Sequence, residues 1–186
     1  MVVLLQHRDD CNLNFTEPAC TNQRILDMPQ NKTWYFSYGS NLSKQQMLRR
    51  TGSIPMSRLV CLANFRLAFR KVLASEDVYA TIVPMPGGLV HGVVYSCSPH
   101  AMSQLDLVEG VAENCYRREL VEVTTHDGDV LSCIVYIGEA FSVEESVPSS
   151  NYLDSILTGA KEHQLPVDYI KSITTQARCG TTDVTV

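Results

Sequence analysis

The sequence lacks the features of a membrane protein, a nucleic-acid-binding protein or a secreted protein. No apolar stretch approaches the ~20 residues that span a bilayer. Fifteen Lys and Arg residues against 20 Asp and Glu give a net charge of −5 without a basic run, so the clustered charge that binds a duplex is missing. The apolar opening, residues 1–5, is too short for a secretory signal. We therefore expect a cytoplasmic protein that binds neither membrane nor nucleic acid.

The cysteines and histidines lack the spacing of a disulfide framework or a metal site. The seven cysteines are odd in number and contain no Cys-x-x-Cys pair. The histidines show no His-x-x-x-His spacing, and zinc sites favour such close pairs. The sequence predicts reduced thiols and no bound metal.

The composition, with 45% apolar and 19% charged residues, is that of one globular domain. Residues 1–32 carry no sustained periodicity and are predicted to form a partly mobile N-terminal extension. The domain is expected over residues 33–178, followed by a tail at 179–186.

Short strands, one inserted helix and two terminal helices follow along the domain. Strands are predicted at 34–36, 58–70, 78–83, 89–97, 116–125 and 130–138, and helices at 43–50, 99–109, 151–164 and 167–177. Residues 126–129 are typical of a hairpin turn. This order favours an α+β domain with a curved or barrel-like sheet and helices packed outside it.

A glycine-containing loop, residues 38–42 (Tyr-Gly-Ser-Asn-Leu), lies between the first strand and the first helix. Successive N–H groups at such a turn point into one concavity and can bind a carboxylate or an oxyanion. The loop has neither the Gly-Lys-Ser/Thr of a P-loop nor the three glycines of a dinucleotide fingerprint. A plain strand-to-helix turn is the alternative.

Glu109 lies within the apolar stripe of the helix over residues 99–109, four residues after Leu105. Burial raises the pKa of a carboxyl group, which suits a general acid and base near neutral pH. The alternatives are that Glu109 reaches solvent or caps an amide, or that Glu113 has this role. Tyrosines such as Tyr35, Tyr136 and Tyr152 could line a pocket, although tyrosines near strands are usually core residues.

Three separated segments together resemble the γ-glutamylcyclotransferase family. Residues 35–42 look like its Tyr-Gly-Ser-Asn-Leu loop, and residues 105–111 look like the helix end that carries its catalytic glutamate. Residues 148–169 are similar to the C-terminal helices of the branch that acts on γ-glutamyl amino acids. The similarity runs in order over residues 34–175, and the Asn-Leu of the loop favours that branch.

The resemblance implies a small mixed β-barrel with flanking helices and no cofactor. It implies conversion of a γ-glutamyl amino acid, a small molecule, into 5-oxoproline and the free amino acid by attack of the substrate's own α-amine. Glu109 is the implied acid and base. The implied substrate-binding residues are Tyr38, Gly39, Ser40, Asn41, Leu42 and Tyr152. A homodimer is left open.

The sequence does not identify the amine that departs in the reaction, and it leaves two other functions as alternatives. Some fungal relatives dismantle glutathione adducts of secondary metabolites, so a bulky glutathione conjugate is an alternative to a simple amino acid. The other functions are a non-catalytic γ-glutamyl- or carboxylate-binding protein of the same fold and a γ-glutamyl hydrolase. The presence of Glu109 argues against the first, and a glutamate product would identify the second.

Overall fold

The computed structural model describes residues 31–178. The predicted tail and all but two residues of the predicted extension lie outside the described residues. In chain order the elements are β1 (Thr33–Ser37), a 3₁₀ turn (Ser40–Leu42), α1 (Lys44–Thr51), β2 (Ser57–Val72), β3 (Val78–Cys97), α2 (Pro99–Val108), β4 (Tyr116–Thr125), β5 (Val130–Gly138), β6 (Phe141–Glu145), α3 (Ser150–Glu162) and α4 (Val167–Arg178). Within residues 31–178, no helix is long and apolar enough to cross a membrane.

Five strands close into a barrel. Strand β1 pairs antiparallel with β3 and parallel with β5, and β5 continues through β4 to β2. The long strand β3 also pairs with β2, which closes the ring, and β6 pairs with β2 outside it. One parallel pair among antiparallel pairs makes the sheet mixed. The predicted α+β fold, a small mixed barrel with flanking helices, is therefore confirmed.

The hydrophobic core joins the strands to the helices around them. Because successive side chains of a strand point to opposite faces, a strand covered on both sides buries both sets. The large, fully buried side chains come from both kinds of element: Phe36, Phe69 and Tyr95 from strands, and Leu105, Ile156 and Ile173 from helices. The barrel thus gives the loops at its ends a rigid support.

Local capping signals account for where the first two helices begin and end. The Ser43 hydroxyl accepts a hydrogen bond from the Gln46 amide at the start of α1, and Gly52 ends that helix in the left-handed conformation with φ of 75°. Ser98 caps α2, and Pro99 occupies its first turn, where a missing N–H costs nothing.

Besides shifts of one or two residues at other element ends, the structure differs from the predicted elements in three ways. The strands predicted at 78–83 and 89–97 are one element, β3. Its pairing register with β2 shifts between Ala63 and Phe65, and this shift accommodates the β3 residues that lie between the two predicted strands. Helix α2 ends at Val108, so Glu109 is its C-cap rather than its last residue. Strand β6 was not predicted, because it is short and pairs with the distant strand β2.

Candidate functional site

The loop after β1 and the C-terminal end of α2 meet at one narrow cavity, here called the inner cavity, with about 30 Å³ of free space. The barrel strands and α3, through Tyr152, supply the rest of its wall, and tyrosines dominate it. The lining residues are Tyr35, Tyr38, Gly39, Ser40, Asn41, Ala80, Glu109, Tyr116, Tyr136 and Tyr152. Six of the seven site residues predicted from the sequence are brought together here.

The turn at the end of α2 determines the position of Glu109. The Glu109 amide still donates to the Leu105 carbonyl at 2.9 Å, as in a helix, and Gly110 then reverses the chain with φ of 62°. A positive φ is readily adopted by glycine, so Gly110 permits the turn that follows the carboxylate. Val108, the last residue of the helix, is 48% exposed.

The Glu109 carboxylate is held by an amide and a guanidinium. Its Oε1 atom accepts hydrogen bonds from Asn41 Nδ2 at 2.9 Å and from Arg50 Nη1 at 2.8 Å. The same Arg50 nitrogen donates to Asn41 Oδ1 at 2.8 Å, and Asn41 Nδ2 also donates to the Tyr35 hydroxyl. These hydrogen bonds involve one oxygen of the Glu109 carboxylate, and they hold its side chain through residues that are distant in the sequence.

Burial raises the pKa of Glu109 above its ordinary value, although Arg50 and Asn41 both oppose the shift. The side chain is only 12% exposed, so the cost of removing the charge from water outweighs the neighbouring positive charge. A carboxylate with a raised pKa accepts and returns a proton more readily near neutral pH. The predicted burial of this carboxyl group is confirmed.

Three of the five tyrosine hydroxyls that line the cavity are hydrogen-bonded to the backbone of barrel strands. Tyr38 donates to the Tyr136 carbonyl at 2.6 Å, and Tyr116 donates to the Ala80 carbonyl at 2.8 Å. The Tyr152 hydroxyl accepts the Ala80 amide at 3.1 Å. Burial raises the pKa of Tyr38 and Tyr116 well above the ordinary value, and that of Tyr152 to about 12. These phenols are therefore neutral at physiological pH and act as fixed walls or donors.

Three residues of the glycine loop that line the cavity have amides that are unbonded within residues 31–178. Within the described chain, the N–H groups of Gly39, Ser40 and Asn41 donate to no other group, while the Gly39 and Ser40 carbonyls accept from Leu42 and Ser43 to form the 3₁₀ turn. Free amides that line a cavity can bind a carboxylate or an oxyanion.

Leu42 is the one predicted site residue that the structure does not bring to the cavity. It is fully buried in the core, and its backbone lies against Gly159 of α3, where a Cβ would fall 2.2 Å from the Leu42 carbonyl carbon. Leu42 therefore supports the loop from behind.

The sequence analysis missed the contact of Arg50 with Glu109, and it left open whether Tyr35 and Tyr136 line a pocket, as they do here. Arg50 lies in the last turn of α1, nine residues after Asn41, and only the folded structure brings it to Glu109. Tyr136 belongs to β5, and its hydroxyl donates to Asp106 of α2 at 2.8 Å. No local sequence signal reports these contacts, because each joins elements that are distant in the chain.

A second, wider space, here called the outer cavity, adjoins the inner one and has about 410 Å³ of free space. Ser40, Glu109, Tyr116 and Tyr152 line both. The remaining lining residues of the outer cavity are Gln46, Arg50, Tyr79, Leu107, Val108, Gly110, Glu113 and Cys115. Glu109 thus lies where a substrate would pass from one cavity into the other.

Comparisons with known proteins agree on one family. The model of the AIG2-like family matches residues 89–173. Gamma-glutamylcyclotransferase of Bos taurus is 35% identical over 144 residues, covering 75% of this chain and 76% of the relative, and that of Homo sapiens is 33% identical over 140 residues, covering 73% of each. A solved gamma-glutamyl cyclotransferase superposes with a TM-score of 0.72 at 30% identity, covering 77% of this chain and 87% of that structure.

Proposed function

This chain belongs to the gamma-glutamylcyclotransferase family and is an enzyme of that class, and we propose that Glu109 is the general acid and base of its reaction. The substrate is a small γ-glutamyl molecule, and the products are 5-oxoproline and a free amine. The inner cavity binds the γ-glutamyl group and the outer cavity accepts the leaving amine.

The observation that carries this proposal is the position of the Glu109 carboxylate, which lines both cavities. A γ-glutamyl group in the inner cavity with its amine substituent in the outer one places the scissile amide beside this carboxylate. The inner cavity is the smaller of the two, with about 30 Å³ of free space against about 410 Å³.

Glu109 transfers protons from the attacking nitrogen to the departing one. The substrate's α-amine is mostly an ammonium ion at neutral pH, so Glu109 first removes a proton from it. The freed nitrogen attacks the γ-carbonyl carbon and forms the C–N bond of the five-membered lactam. Protonated Glu109 then gives that proton to the departing nitrogen as the original amide C–N bond breaks. The ionised carboxylate removes the second excess proton from the lactam nitrogen and passes it to the free amine, which leaves as an ammonium ion. No nucleophile from the protein is needed.

The remaining predicted residues position the substrate. The amides of Gly39, Ser40 and Asn41 supply donors for the γ-glutamyl group and for the charge that develops on the γ-oxygen. Tyr38 and Tyr152 form the walls that keep the glutamyl chain folded. Holding the amine close to the carbonyl supplies proximity, which is worth roughly 7–11 kcal/mol in well-oriented intramolecular reactions.

The outer cavity admits more than one kind of leaving amine. Its free space of about 410 Å³ and its exposed wall accommodate an amino acid or a larger group. The proposed substrates are γ-glutamyl amino acids and, as the bulkier case, the γ-glutamyl group of a glutathione-derived conjugate.

The test is product analysis with γ-glutamyl dipeptides, glutathione and glutathione S-conjugates. Mass spectrometry should detect 5-oxoproline and the free amine from at least one class, and the order of kcat/KM identifies the leaving group. Binding without turnover across the whole panel would favour the non-catalytic alternative. Release of glutamate would favour hydrolysis.

A further inference from the structure

Arg50 lies at the boundary between the two cavities and uses one of its nitrogens there. Its Nη1 atom donates to Glu109 Oε1 and to Asn41 Oδ1, each at 2.8 Å. The guanidinium carries five N–H donors in a planar fork. Within the described chain, its Nε and Nη2 atoms donate to no group, and the side chain remains 26% exposed. Arg50 therefore retains an unused edge.

Arg50 belongs to the outer cavity. Arg50 lines the outer cavity and not the inner one. Among the described residues that line either cavity, it is the one lysine or arginine. A planar guanidinium edge is the protein group best matched to a carboxylate, because both can form two parallel hydrogen bonds.

The geometry points to a carboxylate on the leaving amine. We propose that the unused edge of Arg50 binds the α-carboxylate of the leaving amino acid, an inference that rests on the proposed function. The departing nitrogen must contact the Glu109 carboxylate to receive its proton, and the α-carboxylate is attached to the carbon next to that nitrogen. Since Arg50 Nη1 is 2.8 Å from Glu109 Oε1, the other guanidinium donors of Arg50 lie within reach of the substrate's α-carboxylate.

The attraction strengthens as the reaction proceeds. In the free enzyme the charge of Arg50 is partly balanced by ionised Glu109. When Glu109 takes the proton of the α-amine, this balance is lost, and the substrate carboxylate becomes the anionic partner of Arg50. An interaction that is stronger after proton transfer lowers the barrier as well as improving binding. Glu113 also lines the outer cavity, but it is exposed, so water screens its repulsion.

The test compares γ-glutamyl-alanine with γ-glutamyl-alaninamide, which has nearly the same shape without the charge. The wild type should prefer the acid by roughly tenfold or more in kcat/KM, as expected for hydrogen bonds to a charged group. In Arg50→Gln the ratio should fall to nearly one. Arg50→Lys, which keeps a point charge without the fork, should retain part of the preference. Glu113→Gln is the control and should keep or increase the ratio.

Three outcomes would overturn the assignment. One is a wild type that treats the two substrates alike, and another is an Arg50→Gln variant that loses activity equally on both, which would mean that Arg50 acts only through Glu109. Melting curves check that the variants are folded. If Arg50→Gln is not folded, the third outcome is an Arg50→Lys variant with the wild-type ratio of kcat/KM for the acid and the amide, which would also overturn the assignment. Failure of the wild type to form 5-oxoproline from either substrate would instead overturn the proposed function, and this inference with it.

Discussion

The inner and outer cavities share Glu109, yet they are built from different residues. The inner wall consists mainly of tyrosines and loop residues, and all five tyrosine hydroxyls are hydrogen-bonded within the protein, as Tyr38 is to the Tyr136 carbonyl. The outer wall includes Leu107, which is 70% exposed, and exposed Glu113. A wall held by hydrogen bonds suits a chemical group that is the same in every substrate. An open wall tolerates groups that differ between substrates. This difference supports the proposal that the γ-glutamyl group binds in the inner cavity and that the outer cavity selects the leaving amine.

Blocking the α-amine, which the inner cavity is proposed to hold, should have the largest effect. N-acetyl-γ-glutamyl-alanine should give no 5-oxoproline, because the nitrogen lone pair is delocalised into the new amide. Replacing alanine with leucine changes only the outer part and should merely scale kcat/KM. Chromatography of 5-oxoproline measures both, and cleavage of the acetylated compound would contradict the assignment.

Glu109→Gln should lower kcat by at least ~10²-fold, the low end for loss of a general acid and base. The amide fills nearly the same volume but cannot accept the proton. Glu113→Gln removes a carboxylate from the outer wall only and should change kcat little. Near wild-type turnover in a folded Glu109→Gln protein would remove Glu109 from its proposed role.

Gly159→Ala tests whether α3 supports the inner wall. The new Cβ would lie 2.2 Å from the Leu42 carbonyl carbon and 2.3 Å from the Ser43 nitrogen, so α3 or the loop must shift. Overpacking of this kind costs about 1–3 kcal/mol of unfolding free energy. Thr158→Ala, at the exposed neighbouring position, is the control. Equal melting temperatures of the two variants would show that the loop does not depend on this contact.

The pH dependence of kcat/KM should show an acid limb above the ordinary range of a glutamate. Burial raises the pKa of Glu109, and only the ionised form accepts the proton of the α-amine. Activity should therefore rise with pH through this raised pKa, and Glu113→Gln should keep the same limb. A limb at the ordinary glutamate pKa of about 4.3 would contradict the role of burial.

The smallest expected effect is on stability. Because the pKa of Glu109 is raised in the folded state, the folded protein binds this proton more tightly than the unfolded chain does. Wild-type stability should thus decrease as pH rises from the ordinary pKa through the raised one, and Glu109→Gln lacks this contribution. The melting temperature of the variant relative to wild type should increase over that range. A difference independent of pH would contradict the shift.

Elements with local signals could be predicted from the sequence. The hairpin between β4 and β5 was predicted with its correct strand bounds, because Gly128 supplies the turn with φ of 88°. The loop at residues 38–42 and Glu109 were singled out by local pattern and by the family resemblance. Only the folded structure shows that the loop and Glu109 line the same cavity.

Features that depend on distant contacts could not be predicted. Arg50 carries no mark in the sequence that distinguishes it from Arg49, yet only Arg50 contacts Glu109. The helical stripe could not show that α2 ends at Val108 and leaves that side chain at the outer cavity. These features follow from packing between elements rather than from periodicity within one.

The most direct test of the central claim asks which atom attacks the γ-carbonyl. Wild-type enzyme is supplied with γ-glutamyl-alanine in isotope-labelled water, and the mass of the acidic product is measured. Attack by the substrate's α-amine predicts 5-oxoproline that carries no oxygen from the water. Glutamate carrying the label would show that water attacks, and it would contradict the assignment of Glu109 and the inner cavity to lactam formation.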